Sequence, residues 1–292
     1  MIGSAFNFDK TNIYYQRDEN NLAIKNEPLN VFGVSQDFRF PNVYFAEKKR
    51  NQSKVDLQET KYSLQLLKIK RDIYSHYYEL SYAKNKVQAY QYLDSLYTDF
   101  AIKAKRRFEL GETNYLEMIT ARSKQKQLET LYKQSLLDVN QSRARLKKVV
   151  QVDSISIKDI ELQKLELQNI SLDTHEGLSF FAASIKYQQF ETKLTKQSLL
   201  PDISAEYFQG TNSTLNQTII GYQFGLKIPF LFGSQRSKIK ASKISEDIVA
   251  EQKIDFEKQL QAEYESLLAK LSQCEESIIY YEHRVKRFPK KL

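Results

Sequence analysis

Two long stretches of the sequence repeat apolar residues at intervals of three and four. The first runs from about residue 42 to residue 110 and contains neither proline nor glycine. Leu80, Ala83 and Val87 fall on one helix face at this spacing, so the stretch predicts one continuous helix. At about 1.5 Å per residue that helix would be on the order of 100 Å long, whereas a domain of this size is only about 40 Å across. The pattern therefore predicts a rod and not a compact globule.

A short polar segment at residues 108–117 separates the two helical stretches. Gly111 supplies the left-handed backbone that commonly ends a helix. Asn114 or Thr113 can cap the helix that follows, and Glu117 stands three residues after Asn114, which is the spacing of a capping box. The segment therefore predicts the tip of a long helical hairpin.

Alternating apolar and polar residues predict two β-hairpins, and each one precedes a long helix. The predicted strands lie at 9–17, 30–40, 203–209 and 219–228. The predicted segments are, in order, a first β-hairpin at 9–41, a helical hairpin at 42–150, a connector at 151–174, a helix at 175–199, a second β-hairpin at 200–229 and a long helix at 230–292.

An internal repeat relates the two β-hairpins. The segment from Gly33 to Pro41 and the segment from Gly221 to Pro229 both begin with glycine, carry an apolar–basic–apolar triplet and end with proline. Each segment closes a hairpin and opens a helix. The sequence therefore indicates a duplicated unit of hairpin and helix.

Two environments fit the alternation in these strands. It is compatible with a half-buried sheet in a soluble protein, and with membrane strands that turn their apolar face to lipid. Four strands cannot close into a barrel alone, and long rods leave no compact core for a sheet to cover. Assembly of several copies into one barrel is therefore favoured. The residues expected on the lipid face are Phe38, Phe40, Tyr222, Phe224, Leu226 and Ile228.

Composition narrows the possible functions. The chain of 292 residues carries a net charge of +8, and its 8 glycines and 5 prolines are few, so long elements are expected. The basic runs at 48–50 and 103–107 lie in helical patterns beside glutamates, which is typical of solvated helix faces and does not indicate nucleic-acid binding. No run of 18 apolar residues predicts a transmembrane helix, and the first residues do not have the pattern of a signal peptide.

No catalytic or metal-binding constellation stands out. The three histidines lie far apart, the one cysteine is Cys274, and the methionines are only Met1 and Met118. These residues do not form a zinc or thioether copper pattern, and there is no glycine-rich phosphate loop. We therefore expect a protein that is not an enzyme and has no cofactor.

The sequence resembles the TolC-like outer-membrane efflux channels over nearly its whole length. The resemblance rests on the duplicated hairpin–helix unit, on Leu200-Pro201 before a strand, on Ile228-Pro-Phe-Leu-Phe-Gly233 at a strand-to-helix junction, and on the tip at 107–117. That tip is similar to the family's Arg-Phe-x-x-Gly…Leu-Glu turn. Within the family, the sequence is most similar to channels of heavy-metal efflux systems of the resistance-nodulation-division type.

The resemblance implies an α+β fold of mostly long helices and a homotrimer. Each protomer would give four strands to one outer-membrane β-barrel and its helices to a periplasmic α-tunnel. The segment at 151–173 would belong to a belt around the tunnel, and the loops at 18–28 and 210–218 would be extracellular.

The resemblance also implies a role and partners. The protein would be a passive exit duct of a tripartite pump, with heavy-metal cations among its substrates and with a periplasmic adaptor and an inner-membrane resistance-nodulation-division pump as partners. The tip residues Arg107, Gly111, Glu112 and Glu117 would dock the adaptor, and Gly111→Trp is expected to keep the helices but abolish adaptor binding.

Two other classes of function remain open on the sequence. A periplasmic adaptor also carries a long α-hairpin, but it would flank one hairpin with glycine-rich lipoyl-like halves. A soluble coiled-coil scaffold or a basic nucleic-acid binder would have no reason to alternate Tyr and Phe with polar residues in paired strands. Family members normally carry further helices before the first hairpin and after the last long helix, so we expect the chain to be a fragment of a larger protein.

Overall fold

The computed structural model describes two compact units of the chain. Unit 1 comprises residues 1–64 and 171–292, and unit 2 comprises residues 65–170. The described residues are 8–19, 28–155, 162, 171–212, 217–228 and 232–285.

Unit 1 contains one antiparallel sheet in which the strand order follows the chain order. Its strands form where β-branched and aromatic residues alternate with polar ones, as in the sequence TIIGYQF of the last strand. The strands are β1 (Asn12–Asp18), β2 (Leu29–Phe38), β3 (Asp202–Asn212) and β4 (Gln217–Lys227).

Strand register decides which side chains share a face of the sheet. Phe38 of β2 lies opposite Ile203 of β3, and Ile203 lies opposite Leu226 of β4. Directly opposed residues of antiparallel strands point to the same side, so these three residues share one face. We call this the apolar face, and we call the opposite side, which carries Asp37 and Lys227, the polar face.

Three α-helices complete the described part of unit 1. The first is the beginning of α1 (Pro41–Glu109), a helix of 69 residues whose opening proline suits the first helical position. α3 (Glu176–Gln197) follows a short 3₁₀ turn, and α4 (Phe232–Tyr280) leads into a π-helical turn at Tyr281–Val285.

Small polar side chains allow α3 and α4 to approach closely. Thr192 is only 3% exposed, and its hydroxyl lies 2.9 Å from the hydroxyl of Ser242. Gln188 donates to the carbonyl oxygen of Ser242 at 3.3 Å. Because these buried groups have hydrogen-bond partners, the close contact avoids the cost of an unsatisfied polar group.

A chain of alternating charges joins the end of β2 to the helices of unit 1. Arg39, just after β2, donates to Glu47 of α1 at 2.9 Å, and Glu47 also contacts Arg50 at 3.4 Å. Arg50 in turn lies 3.7 Å from Glu191 of α3. These side chains are partly buried, so the ion pairs are less screened than surface pairs.

Unit 2 is a helical hairpin made of residues 65–109 of α1 and of α2 (Tyr115–Val150). Its core is a narrow seam in which Leu80 is 1% exposed, Leu146 is 3% exposed and Ser135 is fully buried. Small residues in the seam, Ala83 and Ala121 among them, let the two backbones come close.

The predicted fold class is confirmed: long helices accompany two β-hairpins, and residues 42–109 form part of one unbroken helix.

Strand ends differ from the sequence prediction, because β2 ends at Phe38 and β4 ends at Lys227. Phe40 and Ile228 therefore lie just outside the strands. The predicted helix at 230–292 is α-helical only to Tyr280 within the described residues.

Parts of several predicted segments lie outside the described residues. These parts are 20–27 of the predicted loop at 18–28, 213–216 of the predicted loop at 210–218, 156–161 and 163–170 of the connector, and 286–292 of the last predicted helix. The rest of the loop predicted at 210–218 is wrong, because 210–212 belong to β3 and 217–218 to β4.

Candidate docking tip and candidate barrel wall

The predicted tip of unit 2 is a tight turn that ends α1 in a Schellman motif. Gly111 has a φ of 76°, in the left-handed region. The amide of Glu112 donates to the carbonyl of Arg107 at 2.8 Å, and the amide of Gly111 donates to the carbonyl of Phe108 at 3.0 Å. These two bonds satisfy carbonyls that the end of a helix leaves without partners, and glycine adopts the required conformation without strain.

Asn114 caps the helix that follows the turn. Its side-chain oxygen accepts from the amide of Glu117 at 2.9 Å, as an N-cap residue should. The sequence left the cap open between Asn114 and Thr113, and the structure assigns it to Asn114. Thr113 has a different role, because its hydroxyl donates to the carboxylate of Glu117. The predicted capping box is therefore modified, with Thr113 as the partner of Glu117.

The charged residues predicted at the tip are exposed. The guanidinium of Arg107 lies 3.7 Å from the carboxylate of Glu112, and both side chains are more than half exposed. Such a pair contributes little to stability in water, so both groups remain available to a partner. A side chain added at Gly111 would meet nothing within 4 Å, which leaves the turn open to close approach.

Sequence reasoning missed the apolar residues of the tip. Leu110 is 64% exposed, Tyr115 is 60% exposed and Leu116 is 71% exposed. The three-and-four spacing places Leu116 on the apolar stripe of α2. It lies in the first turn of that helix, and the described residues of unit 2 leave it exposed. Exposed leucines grouped at a tip are a typical feature of interaction sites.

A groove of about 740 Å³ opens in unit 2 beside the tip. Tyr97, Phe100 and Leu116 supply its apolar surface, and Lys103, Arg107 and Lys124 are the cations among its lining residues. The groove and the exposed leucines extend the predicted docking surface along both helices of the hairpin.

In unit 1 the apolar face of the sheet is exposed. Tyr222 is 70% exposed, Phe224 is 78% exposed and Leu226 is 65% exposed. Ile13, Tyr15 and Phe32 extend the same face across β1 and β2, and each is more than half exposed. Of the predicted lipid-facing residues, Ile228 is 52% exposed just after β4, whereas Phe38 and Phe40 are half-buried. A Phe8 ring packs edge-on against Phe38 at 5.6 Å.

The polar face of the sheet carries hydrogen bonds and charges. The ammonium of Lys227 binds Asp37 at 2.5 Å, and the hydroxyl of Tyr14 donates to Glu206. Within the described strands this face holds four carboxylates and one lysine: Asp18, Asp37, Asp202, Glu206 and Lys227.

The sheet ends in β1 on one side and in β4 on the other. Neither outer edge has a strand partner among the described residues. A free edge presents unpaired amide and carbonyl groups, which pair readily with another strand. The edges are therefore the sites at which further strands can extend the sheet.

The described residues contain neither a candidate membrane-spanning helix nor a candidate metal-binding group of side chains. No helix there is both long enough and apolar enough to cross a membrane. No three side chains among His, Cys, Asp and Glu are grouped there so that they could hold a metal ion.

Comparison with known proteins finds similarity in structure but not in sequence. No protein-family model matches the chain, and no curated protein matches it. The outer membrane protein VceC of Vibrio cholerae superposes with a TM-score of 0.76 at 12% identity, covering 98% of this chain and 75% of VceC.

Two further channels give similar values. The outer membrane channel CmeC of Campylobacter jejuni superposes with a TM-score of 0.70 at 12% identity, covering all of this chain and 71% of CmeC. CusC, whose structures were described in terms of folding and transmembrane channel formation, has a TM-score of 0.72 at 12% identity, covering 98% of this chain and 73% of CusC. The fold of this chain is therefore that of the TolC-like outer-membrane channels.

Proposed function

We propose that the chain is a subunit of an outer-membrane channel that serves as a passive exit duct in an efflux system. The exposed apolar face of the sheet carries this proposal. Tyr222, Phe224 and Leu226 are each at least 65% exposed, and in water such a continuous apolar surface would be costly. In a bilayer the same side chains would meet lipid, while the polar face would meet water in a lumen.

The open edges of the sheet support assembly into a homotrimer. Four strands are too few for a membrane barrel, whereas three copies would supply twelve and would pair β4 of one copy with β1 of the next. Closure would satisfy every edge amide and carbonyl, which a bilayer requires.

The tip of unit 2 would dock a periplasmic adaptor, which would connect the duct to an inner-membrane pump of the resistance-nodulation-division type. The proposed contact includes Arg107, Gly111, Glu112 and Glu117, together with the exposed Leu110 and Leu116. The leucines would supply buried apolar area, and the charges would set the orientation of the partner.

Cations, heavy-metal ions among them, are the proposed substrates. The support is the polar face of the sheet, where the described strands carry four carboxylates and one lysine although the whole chain has a net charge of +8. A lumen lined with this excess of negative charge would concentrate cations and repel anions.

Reconstitution tests the channel directly. The purified chain is added to a planar lipid bilayer, and its mass in detergent is measured by native mass spectrometry. We expect a trimer and single-channel steps that prefer cations. A monomer that stays in aqueous buffer without detergent and gives no conductance would instead support a coiled-coil scaffold.

Leucine substitutions test the docking surface better than Gly111→Trp. Tryptophan at a φ of 76° would strain the turn, so lost binding could reflect a damaged hairpin. Leu110→Ser and Leu116→Ser leave the backbone of the turn unchanged. In cells with the adaptor and the pump, both should raise sensitivity to exported compounds, whereas Leu137→Ser, at a site 67% exposed on α2, should not. Equal resistance of all three variants would argue against docking at the tip.

A further inference from the structure

Two aromatic rings on the polar face of the sheet lie across glycines of the neighbouring strands. Tyr14 of β1 is opposite Gly33 of β2, and Phe208 of β3 is opposite Gly221 of β4. Gly33 is in turn opposite Phe208, so the four residues form one row across the sheet in which aromatic residues and glycines alternate.

The rings occupy the space that a side chain at each glycine would need. A β-carbon built on Gly33 would lie 2.3 Å from Cζ of Tyr14, and one built on Gly221 would lie 2.2 Å from Cζ of Phe208. Carbon atoms that are not bonded approach to about 3.5–4.0 Å, so both contacts are impossible without movement. The far end of each ring therefore rests on the glycine backbone, and the side chain lies flat along the sheet.

A hydrogen bond fixes the first ring in this position. The hydroxyl of Tyr14 passes over Gly33 on β2 and donates to the carboxylate of Glu206 on β3. Tyr14 can reach a residue two strands away only because Gly33 presents no side chain between them. Gly33 is buried beneath the ring, and Tyr14 itself is half-buried.

Aromatic residues on the apolar face behave differently. Tyr15, the neighbour of Tyr14, is 64% exposed although its hydroxyl donates to Asn30 of β2 at 2.7 Å, and Phe224 is 78% exposed. The aromatic side chains of Tyr14 and Phe208 are half-buried, so they are less exposed than these two residues of the apolar face. The cross-strand partners differ in the same way: Tyr14 and Phe208 lie opposite glycines, whereas Tyr15 is paired with Phe32 and Phe224 with Ala205.

We propose that Gly33 and Gly221 set the bore of the β-barrel, at the level of this row, by holding the rings of Tyr14 and Phe208 flat against its wall. The inference rests on the proposed function, in which the polar face lines the lumen. A side chain at either glycine would lift the ring off the sheet and into the path of the substrate. With three copies around the barrel, each substitution would move three rings at one level of the lumen.

Single-channel conductance in planar bilayers tests this role. Because conductance falls as the open cross-section narrows, we expect Gly33→Ala and Gly221→Ala each to lower it, and the combination of the two to lower it further. Gly210→Ala is the matched control. It lies on the same face, but a β-carbon there would meet its nearest neighbour at 3.4 Å, an ordinary contact, and should leave conductance unchanged.

A further variant shows whether a lower conductance is caused by a ring lifted into the lumen or by damage to the barrel. Tyr14→Ala combined with Gly33→Ala removes the ring, so conductance should return to the wild-type value or exceed it. If Gly33→Ala alone fails to assemble into a channel, the variant that combines Tyr14→Ala with Gly33→Ala still tests the proposal. Without the ring, this combined variant should assemble. Failure of the double variant to assemble or to regain conductance would overturn the proposal.

The remaining outcomes separate this inference from the proposed function. Wild-type conductance in Gly33→Ala and Gly221→Ala, in a wild-type chain that forms channels, would overturn the bore assignment alone. A wild-type chain that gives no conductance would overturn both.

Discussion

The backbone amide of Glu112 donates a hydrogen bond of 2.8 Å to the carbonyl of Arg107, and the side chains of the same two residues approach within 3.7 Å. The backbone bond spans the turn and requires the left-handed conformation at Gly111 between them. The exposed charged side chains of Arg107 and Glu112 are therefore positioned by a backbone turn that depends on Gly111.

Gly111→Ala should destabilise the tip by about 1–2 kcal/mol, because an L-residue is strained at a φ of 76°. Hydrogen–deuterium exchange would show this as faster exchange of the amides of residue 111 and Glu112. Gly233→Ala, in α4, is the control, because there the same substitution should not lower stability. That glycine is helical and has nothing within 4 Å of its added β-carbon, so alanine should leave α4 as stable or more stable.

Asn114→Ala should loosen the first turn of α2 by about 1 kcal/mol, because the amide of Glu117 loses its acceptor. The measurement is exchange of the Glu117 amide, which should become faster. Asn114→Asp keeps a side-chain oxygen at the N-cap and adds a favourable charge at the helix N-terminus, so exchange there should stay slow. Equal exchange in the alanine and aspartate variants would show that the cap does not hold the turn.

Leu80→Ala should be among the most damaging substitutions in unit 2. Leu80 is 1% exposed in the seam between the helices, and removal of a buried leucine side chain costs about 2–5 kcal/mol. Leu137→Ala is the matched control, since that side chain is 67% exposed. Urea titration followed by circular dichroism should show a lower midpoint for the first variant and little change for the second.

Glu129 should support α2 down to an unusually low pH. Hydrogen bonds from Lys126 at 2.7 Å and Lys133 at 2.8 Å lower the pKa of its carboxyl group to about 2, below the usual value of about 4.3. Because the folded pKa is the lower one, the stabilisation is complete above the unfolded pKa and is lost as pH falls through about 2.

Thermal unfolding at a series of pH values tests whether this stabilisation is lost on acidification. The melting temperature of the wild type should be slightly higher than that of Glu129→Gln from pH 7 to about pH 4. Below that, the melting temperatures of the two proteins should converge toward pH 2. Replacement of Lys126 and Lys133 by glutamine should remove the difference while leaving the carboxylate in place. A difference that grows as the solution is acidified would contradict the assignment.

Much of the local structure follows from short-range patterns. Continuous helix over the residues after Pro41 is predictable because apolar residues recur at threes and fours with no glycine or proline to interrupt them. The stop at Gly111 and the new start near Asn114 are equally local, because capping depends on a few neighbouring residues. The alternation in β4 likewise indicates a strand with one apolar face.

Other features could not be read from these patterns. The stripe of α2 does not distinguish Leu128, which is 7% exposed, from Leu116, which is 71% exposed, because periodicity gives the direction of a side chain but not what covers it. The exact strand ends at Phe38 and Lys227 depend on pairing with other strands. The sequence pattern therefore did not predict that Phe40 and Ile228 lie outside the strands.

By itself, the sequence determined the kinds of element and their order, since helix and strand periods and turn residues act over a few positions. Tertiary structure alone decided that Tyr14 meets Gly33, that Phe208 meets Gly221, and that Tyr14 reaches Glu206 from 192 residues away. The physical reason is strand register. A shift of one residue would send every side chain to the opposite face, and only the pairing of all four strands fixes which ring lies on which glycine.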